Sequence, residues 1–512
     1  MVTQDQTDVL AFLGSPSTHG GSSVERIDTH ASVVFLAGDR AYKLKRAVRY
    51  DYLDFSTPER RRAMCEAELR INRVTAPTVY RRVVPVTREA DGTFSLGGPG
   101  DPVDWVLEMT RFDQEFLFDR LAARGALDVD LMRPLGSAVA RFHTSAEPRP
   151  DHGGASGLGW VIDGNERGLL EEGRGALETA LIARVTGAAR AALDRHSTLL
   201  DARRAAGLVR QCHGDLHLRN LVLIDGRPTL FDAVEFNDAI SCIDVLYDLA
   251  FLLMDLWRRN LRRHANAVWN SYLFDTGDLE GIRLMPLFLS CRAAIRAKTS
   301  ATAANIADQP TRRAELIALA RDYLGLAEQM LKPSPAVLLA IGGFSGSGKS
   351  TLAKMLAPTI GPVPGAVVLR SDEIRKQLCG CDPQVRLGAD AYSAEMTTRV
   401  YDSLDARAGA VLAAGHAAIA DAVFARQTDR ERVESVARAA AAPFAGVWLD
   451  APADVLSDRL AQRRADASDA DAAVLRRQLQ QGMGELRWSR IDASQTREGA
   501  ASAIADVLPR GR

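Results

Sequence analysis

The chain has 512 residues, 46% of them hydrophobic. Single domains usually stop near about 250 residues, so at least two are expected. Sixty-four basic residues face 65 acidic ones, a net charge of -1 with no long run of one sign, which argues against a polyanion-binding surface and against nucleic acid as a partner.

Six cysteines, Cys65, Cys212, Cys242, Cys291, Cys379 and Cys381, are scattered through the chain. That pattern fits reduced thiols better than a disulfide framework. Cys379 and Cys381 lie too close together, without further ligands, to suggest a zinc site. The opening "MVTQDQTDVLAFLG" has neither a basic start nor a long apolar core, unlike a secretory signal. No stretch reaches the roughly 20 apolar residues of a spanning helix; "VLYDLAFLLMDLW" is interrupted by two Asp. A soluble, cytoplasmic protein with no membrane partner is expected.

In chain order, "SVVFLAGDRAYKLKRAV" (32–48) reads as two strands turning at Gly38-Asp39. "TPERRRAMCEAELRINRVT" reads as a helix with Pro58 in its first turn and charges on one face. "VYRRVVPVTRE" and "VDWVLEMTRF" supply further strands, and from about 115 to 208 the pattern turns helical with a Gly-rich break at 153–159. A strand-rich front before a large helical part predicts two lobes. Helical patterns return over 240–331. Pro333 and Pro335 then stop a helix just before the apolar strand "AVLLAIGG", which places a domain boundary at 332/333. Beyond it strands and helices alternate, as in a parallel α/β sheet.

Between these elements lies "RQCHGDLHLRNLVLIDGRPTLFDAVEFND" (210–238), with polar groups set inside short apolar runs. Moving a phosphoryl group to a hydroxyl needs a carboxylate to orient or deprotonate that hydroxyl, and others, with an amide, to hold Mg²⁺ against nucleotide phosphates. Asp215 and Asn220 in "HGDLHLRN" and Asp232 in "LFD" are candidates. "LVLIDGRPTLF" reads as a hairpin turning at Asp225-Gly226, which brings Asn220 and Asp232 to one end of the ribbon.

These residues closely resemble the aminoglycoside phosphotransferase and choline kinase-like family over roughly residues 25–325. The resemblance implies a bilobal α+β, protein-kinase-like fold, with Asp215 as catalytic base and Asn220 and Asp232 as Mg²⁺ ligands. It also implies that Asp248 of "YDLA" braces the catalytic loop and that His213 holds the loop's shape. Lys43 and Lys45 in "AYKLKRAV" face one side of their strand. The resemblance favours Lys45 as the nucleotide-anchoring lysine, with Glu68 or Glu66 as its partner on the next helix. Segment order alone places the adenine hinge in "WVLEMTRF", with backbone contacts at Glu108 to Met109. Where the family has a short Gly-containing segment, this chain has Leu218 and Arg219, which sets aminoglycoside specificity apart. Glu235 and Asp238 are available to a cationic acceptor, whereas Arg292 and Arg296 would suit an anionic or neutral one.

A second signature, "GGFSGSGKS", fits G-x-x-x-x-G-K-[ST] from Gly343 to Ser350, with a strand before it and the helix "TLAKMLA" after it. Glycines let backbone N–H groups turn inward around phosphates at a helix N-terminus, the lysine neutralises charge, and the serine hydroxyl can bind Mg²⁺. Gly343, Ser345, Gly346, Ser347, Gly348, Lys349, Ser350 and Thr351 are therefore the expected ATP-binding residues, with Lys349 also catalytic and Ser350 a metal ligand. "AVVLRSDEIRKQL" places Asp372 at a strand's carboxyl end, where an acceptor hydroxyl could be activated.

Residues 334–512 resemble the small P-loop kinases that act on metabolites, zeta-type toxins or polynucleotide ends. The resemblance implies Asp372 as base and Arg375 as a substrate or phosphate contact. Asp421 could position Mg²⁺ or substrate, while Arg459, Arg463 and Arg464 suit a lid. No acidic pair of the kind used by hydrolytic motors follows "GVWLD". The expectation is a kinase-like domain (1–332) followed by an α/β P-loop domain (333–512), each phosphorylating a hydroxyl of a small molecule, sugars or amino sugars, with ATP and Mg²⁺. The alternatives are a toxin-like or polynucleotide 5′-end kinase in the second half, or an ATP-binding regulatory protein. Oligomeric state is not encoded in these motifs.

Overall fold

The computed structural model describes residues 2–50, 53–382, 385–462, 468–469, 471–481 and 483–509. It divides into two compact units, Met1–Arg167 with Arg190–Asp255, and Gly168–Ala189 with Leu256–Arg512.

The first unit contains a six-stranded antiparallel sheet, preceded by a helix at Thr7–Gly14. Its strands are β1 (Val24–Asp28), β2 (Ser32–Ala37), β3 (Arg40–Lys45), β4 (Tyr80–Arg88), β5 (Phe94–Leu96) and β6 (Asp101–Thr110), in spatial order β1-β2-β3-β6-β4-β5. Ala37 pairs with Arg40, which leaves Gly38-Asp39 as a two-residue turn, and Gly38 adopts φ +56° there. Val33, Phe35, Leu44, Val84 and Val106 form a core on one face of this sheet with Val9 and Leu13. Between β3 and β4 runs α1 (Pro58–Asn72), capped by Thr57, whose side chain accepts from the Arg60 N–H.

The charged residues of α1 do not all face water. Arg61 is fully buried and forms a bidentate pair with Asp104 on β6, at 2.8 and 2.9 Å. Its remaining donors reach Phe55 O (3.1 Å) and Gln4 Oε1 (2.9 Å). Such a pair is costly to break, because the surviving carboxylate stays dry and uncompensated. Arg61→Ala is expected to lower stability by about 3–5 kcal/mol. Asp104→Leu added to an Arg61→Met background should recover most of that loss in denaturant titrations of the full chain.

Gly154–Glu172 is a single helix, of which the residues up to Arg167 belong to this unit. It absorbs Gly157 and Gly159, so the expected break at 153–159 shrinks to Gly153 and Gly154, the two with positive φ. A hairpin follows, β7 (Leu221–Ile224) and β8 (Arg227–Leu230), paired Ile224 to Arg227. Its turn, Asp225-Gly226, has φ of +49° and +72°, the backbone that Asp-Gly supplies. The helix α2 (Val245–Arg258) comes next.

The second unit is built from α3 (Arg262–Thr276), α4 (Met285–Asn305), α5 (Pro310–Met330) and a five-stranded parallel sheet. Its strands and some of the intervening helices are β9 (Leu338–Gly342), α6 (Lys349–Leu356), β10 (Val367–Arg370), α7 (Ser371–Leu378), β11 (Ala418–Asp421), β12 (Phe444–Asp450), α8 (Ala453–Ala461), α9 (Ala472–Gln481) and β13 (Ser489–Asp492), with further helices at Ala394–Ala413 and Gln427–Ala439. Their spatial order is β10-β11-β9-β12-β13, every pair parallel. β9 is buried at all five positions, which explains its unbroken apolar run. β10 lies at the edge of the sheet, and α3 covers it through side-chain amides. Asn266 Nδ2 donates to Pro364 O and Ala366 O at 3.1 Å, and Asn270 Oδ1 accepts from the Val368 N–H at 2.6 Å. An edge covered this way offers no free ladder to another chain. All six cysteines are free thiols. Among the described residues no helix is long and apolar enough to cross a membrane.

Candidate active sites

In the first unit β3 and α1 bring Lys43, Lys45 and Glu68 together. The loops after β8 add Asp232 and Glu235. Lys43 Nζ donates to Glu68 Oε1 (2.7 Å) and Asp232 Oδ1 (2.6 Å). Lys45 Nζ donates to Glu68 Oε2 (2.7 Å) and to Glu235. Both ammonium groups are close to the carboxylates, but their settings differ. Lys45 is 1% exposed and enclosed by its two partners, whereas Lys43 is 15% exposed and reaches Asp232.

Burial alone would lower the Lys43 ammonium. Asp232 and Glu68 outweigh it and hold the group well above its ordinary range. Burial likewise works to raise Asp232 and Glu68, yet the lysines beside them keep both below the usual carboxylate range. Glu235 is the exception: burial pushes it up despite Lys45. Position distinguishes the two lysines: the ammonium that reaches the Asp232 carboxylate belongs to Lys43, while Lys45 is enclosed by Glu68 and Glu235. Glu235 is also no acceptor-facing carboxylate, being buried against Lys45. Glu66 pairs instead with Arg62 on the exposed side of α1 (2.8 Å).

The catalytic-loop candidates lie on a fixed backbone. Asp248 on α2 is fully buried and accepts from the N–H groups of His213 (3.0 Å) and Gly214 (2.9 Å) and contacts His143 Nε2 (3.0 Å). Asp255, two turns later, accepts from Leu218 N–H (3.1 Å). His213 Nε2 lies 2.9 Å from Phe231 O, and the Val234 N–H donates to His213 O (2.9 Å). The loop carrying Asp215 and the loop carrying Asp232 are thus tied to each other. Asn220 Nδ2 donates to Asp215 O (3.0 Å) and Oδ2 (3.1 Å), so the amide oxygen is the atom it can offer a cation. Asp232 adopts φ +62°, a conformation rare outside glycine and concentrated at functional sites. Its N–H is held by Tyr80 Oη (3.0 Å).

The hinge expectation needs correction. Glu108 and Met109 lie inside β6 and pair on both sides, with Tyr42 and Ala41 of β3 and with Arg82 and Tyr80 of β4. Backbone groups consumed by two ladders are not open to a base. Arg111 to Asp113 follow β6 directly; the Arg111 N–H already donates to Asp39 O (2.9 Å). Arg219 is 65% exposed and sits 3.6 Å from Asp119. Asp238 pairs with Arg149 (3.0 Å). In the second unit Arg292 is buried, and Arg296 lies over the Tyr323 ring (5.8 Å).

The phosphate loop of the second unit joins β9 to α6. Gly343, Gly346 and Gly348 adopt φ of +144°, +88° and +89°. A Cβ on Gly346 would stand 2.6 Å from Leu456 O, so this position needs glycine for space as well as for φ. Lys349 Nζ folds over the loop and donates to Gly343 O (2.8 Å) and Phe344 O (3.2 Å). Ser350 Oγ donates to Asp421 Oδ2 (2.6 Å) at the end of β11.

A cavity of about 1560 Å³ opens here; Ser350, Asp372, Arg375, Tyr392, Asp421 and Arg459 are among its lining residues. The rest of the predicted loop lines it too, from Ser345 to Thr351, but Gly343 does not. Asp372 is lifted above the usual carboxylate range, first by burial, then by Asp421, against the pull of Arg370. Arg463 and Arg464 lie outside the described residues.

Two groups here escaped sequence reasoning. Arg370, 3% exposed, donates to Ser350 Oγ (3.1 Å) and Glu373 (3.0 Å) and lies 3.4 Å from Asp421. Gln478 on α9 accepts from the Ser345 N–H (2.9 Å), a donor of the phosphate loop itself. Arg370 stands two residues before Asp372 in a strand that reads only as apolar, and nothing near Gln478 marks it.

Residues 36–284 match the model of the phosphotransferase enzyme family, and residues 338–482 match that of an AAA domain. The chain thus carries two kinase-type domains in tandem, the first α+β with an antiparallel sheet and the second an α/β P-loop domain with a parallel sheet. An uncharacterized protein of Mycobacterium tuberculosis is 29% identical over 460 residues, covering 87% of this chain and 88% of its own length. One of Mycobacterium bovis matches to the same extent. Among solved structures, a choline/ethanolamine kinase family protein from Mesorhizobium loti covers 63% of this chain and 98% of its own, at 16% identity and a TM-score of 0.38. A sugar kinase from Janibacter covers 34% and 97%, at 22% identity and a TM-score of 0.26. The two matched family models support ATP-dependent phosphotransfer.

Proposed function

We propose that the chain is a tandem kinase, with a phosphotransferase domain over residues 1–332 and a P-loop kinase domain over 333–512, each transferring phosphate from ATP to a hydroxyl of a small molecule. The observation that carries this reading is that each unit holds a lysine and an aspartate of the kinds that phosphotransfer to a hydroxyl requires. In the first, Lys43 joins Glu68 and Asp232, while Asp215 lies against Asn220. In the second, Lys349 overlies the phosphate loop and Asp372 lines its cavity.

In this reading Asp215 and Asp372 orient the two acceptor hydroxyls and take their protons. Lys43, held by Glu68, meets the nucleotide phosphates in the first site, while Lys45 belongs to the buried support behind it. Lys349 and the loop N–H groups hold the phosphates in the second, with Arg459 closing over them. Asn220 and Asp232 in one site, and Ser350 beside Asp421 in the other, offer the hard oxygen donors that suit Mg²⁺. When bound, that ion neutralises charge on the phosphates. Sugars and amino sugars are the acceptor class we favour, in a cytoplasmic setting, without nucleic acid as a partner.

The test is ATP consumption with mass detection of product across sugars, amino sugars, aminoglycosides, nucleosides and oligonucleotides, with Asp215→Asn and Lys349→Ala beside the native chain. A product lost in only one variant assigns that acceptor to that site. Absence of any product while both sites bind ATP would sink the kinase reading.

A further inference from the structure

β10 and β11 run side by side in parallel, and their last residues, Arg370 and Asp421, are register partners. Partnered positions present their side chains to one face of a sheet, which brings the guanidinium to the carboxylate at the strands' carboxyl ends. Arg370 is only 3% exposed. One terminal nitrogen donates to Ser350 Oγ (3.1 Å), and Nε lies 3.4 Å from Asp421 Oδ2. The Ser350 hydroxyl donates to that same carboxylate oxygen (2.6 Å). The two groups that the kinase reading offers to Mg²⁺ are thus both engaged by one buried monocation. The other terminal nitrogen turns away from them, to Glu373 Oε1 (3.0 Å) in the first turn of α7.

Arginine has donors and no acceptor, and it stays charged in proteins. It can neither ligate a cation nor step aside by losing a proton. A divalent ion that reaches Ser350 Oγ and Asp421 therefore meets a like charge beside both donors. Arg370 and Glu373 also line a separate cavity of about 170 Å³, together with Asn270, Phe274, Ile374 and Arg407. Arg407 donates to Gln377 Oε1 (2.6 Å). The Arg370 side chain thus has a second carboxylate and open space on the side away from Ser350. ATP phosphates bring several negative charges and further oxygen donors, which Ser350 and Asp421 alone do not supply.

We propose that Arg370 makes metal binding at the P-loop site depend on the nucleotide: its guanidinium competes with a free divalent cation for Ser350 Oγ and Asp421, and yields to one that arrives with ATP phosphates by falling back on Glu373. The proposal rests on the kinase reading of residues 333–512 and deepens it. Arg370 is in this sense a positioning residue, which acts through Ser350 and Asp421 and not on the substrate. Mg²⁺ and ATP then enter as one unit, and the free ion does not settle in the phosphate loop ahead of the nucleotide.

The experiment measures Mn²⁺ binding to the full chain by EPR of the free ion, in an Asp232→Asn background that removes a proposed metal-holding carboxylate of the first site. Without nucleotide, Arg370→Met should bind Mn²⁺ at least about 10-fold more tightly than the background chain, since a like charge beside the donors is gone. Adding Asp421→Asn to Arg370→Met should cancel that gain, which assigns it to this site. With AMP-PNP present, the advantage of Arg370→Met should shrink. If Arg370 serves only to prop Asp421, Arg370→Met binds Mn²⁺ no more tightly than the background chain in either condition, and the proposal is overturned.

A second variant decides the case when Arg370→Met does not fold. Glu373→Gln keeps the guanidinium and an acceptor oxygen but removes the charge on which Arg370 falls back. It should weaken Mn²⁺ binding in the presence of AMP-PNP by about 3- to 10-fold, the scale of a charge-assisted hydrogen bond reduced to a neutral one, while AMP-PNP binding in EDTA stays the same. An unaltered Mn²⁺ affinity in Glu373→Gln overturns the proposal. Failure of the underlying reading has a different signature, AMP-PNP binding that is indifferent to Lys349→Ala.

Discussion

If Asp215 is the base of the proposed first site, Asp215→Asn is expected to lower turnover there by about 10²- to 10⁴-fold, the usual contribution of a positioned general base, while the KM for ATP changes little. The separation follows from what Asp215 touches. Its carboxylate lies against Asn220 Nδ2 (3.1 Å) and His217 Nε2 (3.4 Å), whereas Lys43, the cation proposed to meet the nucleotide, is bound to Glu68 and Asp232. Asparagine keeps the shape and one acceptor oxygen, so the contact with Asn220 survives while the proton-accepting oxygen is lost. The loop should hold its form as well, because its backbone hangs on Asp248 and Asp255 rather than on Asp215. Steady-state kinetics with the acceptor found in the panel gives both numbers. Retention of more than a tenth of native turnover would remove Asp215 from the role of base.

Much of this arrangement is legible in the sequence where local chemistry dictates backbone. Asp225-Gly226 and Gly38-Asp39 specify two-residue turns through residues that tolerate positive φ, and the Asp225-Gly226 turn sets the register that brings Asn220 and Asp232 to one end of a ribbon. The phosphate loop is legible for the same reason: Gly346 can have no side chain beside Leu456 O. Long-range partners left no such mark. Arg61 reads as one more charge on a charged helix, yet it is buried against Asp104, 43 residues away. The hinge slipped because segment order does not reveal that β6 is central, with both edges of Glu108 and Met109 already paired. Only the resemblance favours Lys45, because two residues on one strand face share every local signal; which one is sealed off depends on Glu235, 190 residues away.

That last distinction gives a second prediction with a large and divided effect. Lys43→Met removes the ammonium between Glu68 and Asp232, so it should cost on the order of 10²-fold in kcat/KM for ATP at the first site, comparable to losing one preorganised electrostatic contact. Its structural cost should be small, since the Asp232 side chain is 44% exposed and water can take over. Lys45→Met has the opposite profile. Lys45 is 1% exposed, and its loss leaves the Glu68 and Glu235 carboxyls, 0% and 6% exposed, without their shared cation. Stranding buried charge in this way costs about 3–5 kcal/mol. The deficit should shrink as pH falls, because Glu235 is already held above the usual carboxylate range by burial and takes up a proton first. A carboxyl whose folded-state pKa is raised contributes stability at low pH that is lost as pH rises through that value. Chemical denaturation across pH 5 to 8, set beside ATP kinetics for both variants, separates the roles. If Lys45→Met weakened ATP use without lowering stability, while Lys43→Met did the reverse, the assignment of the two lysines would be exchanged.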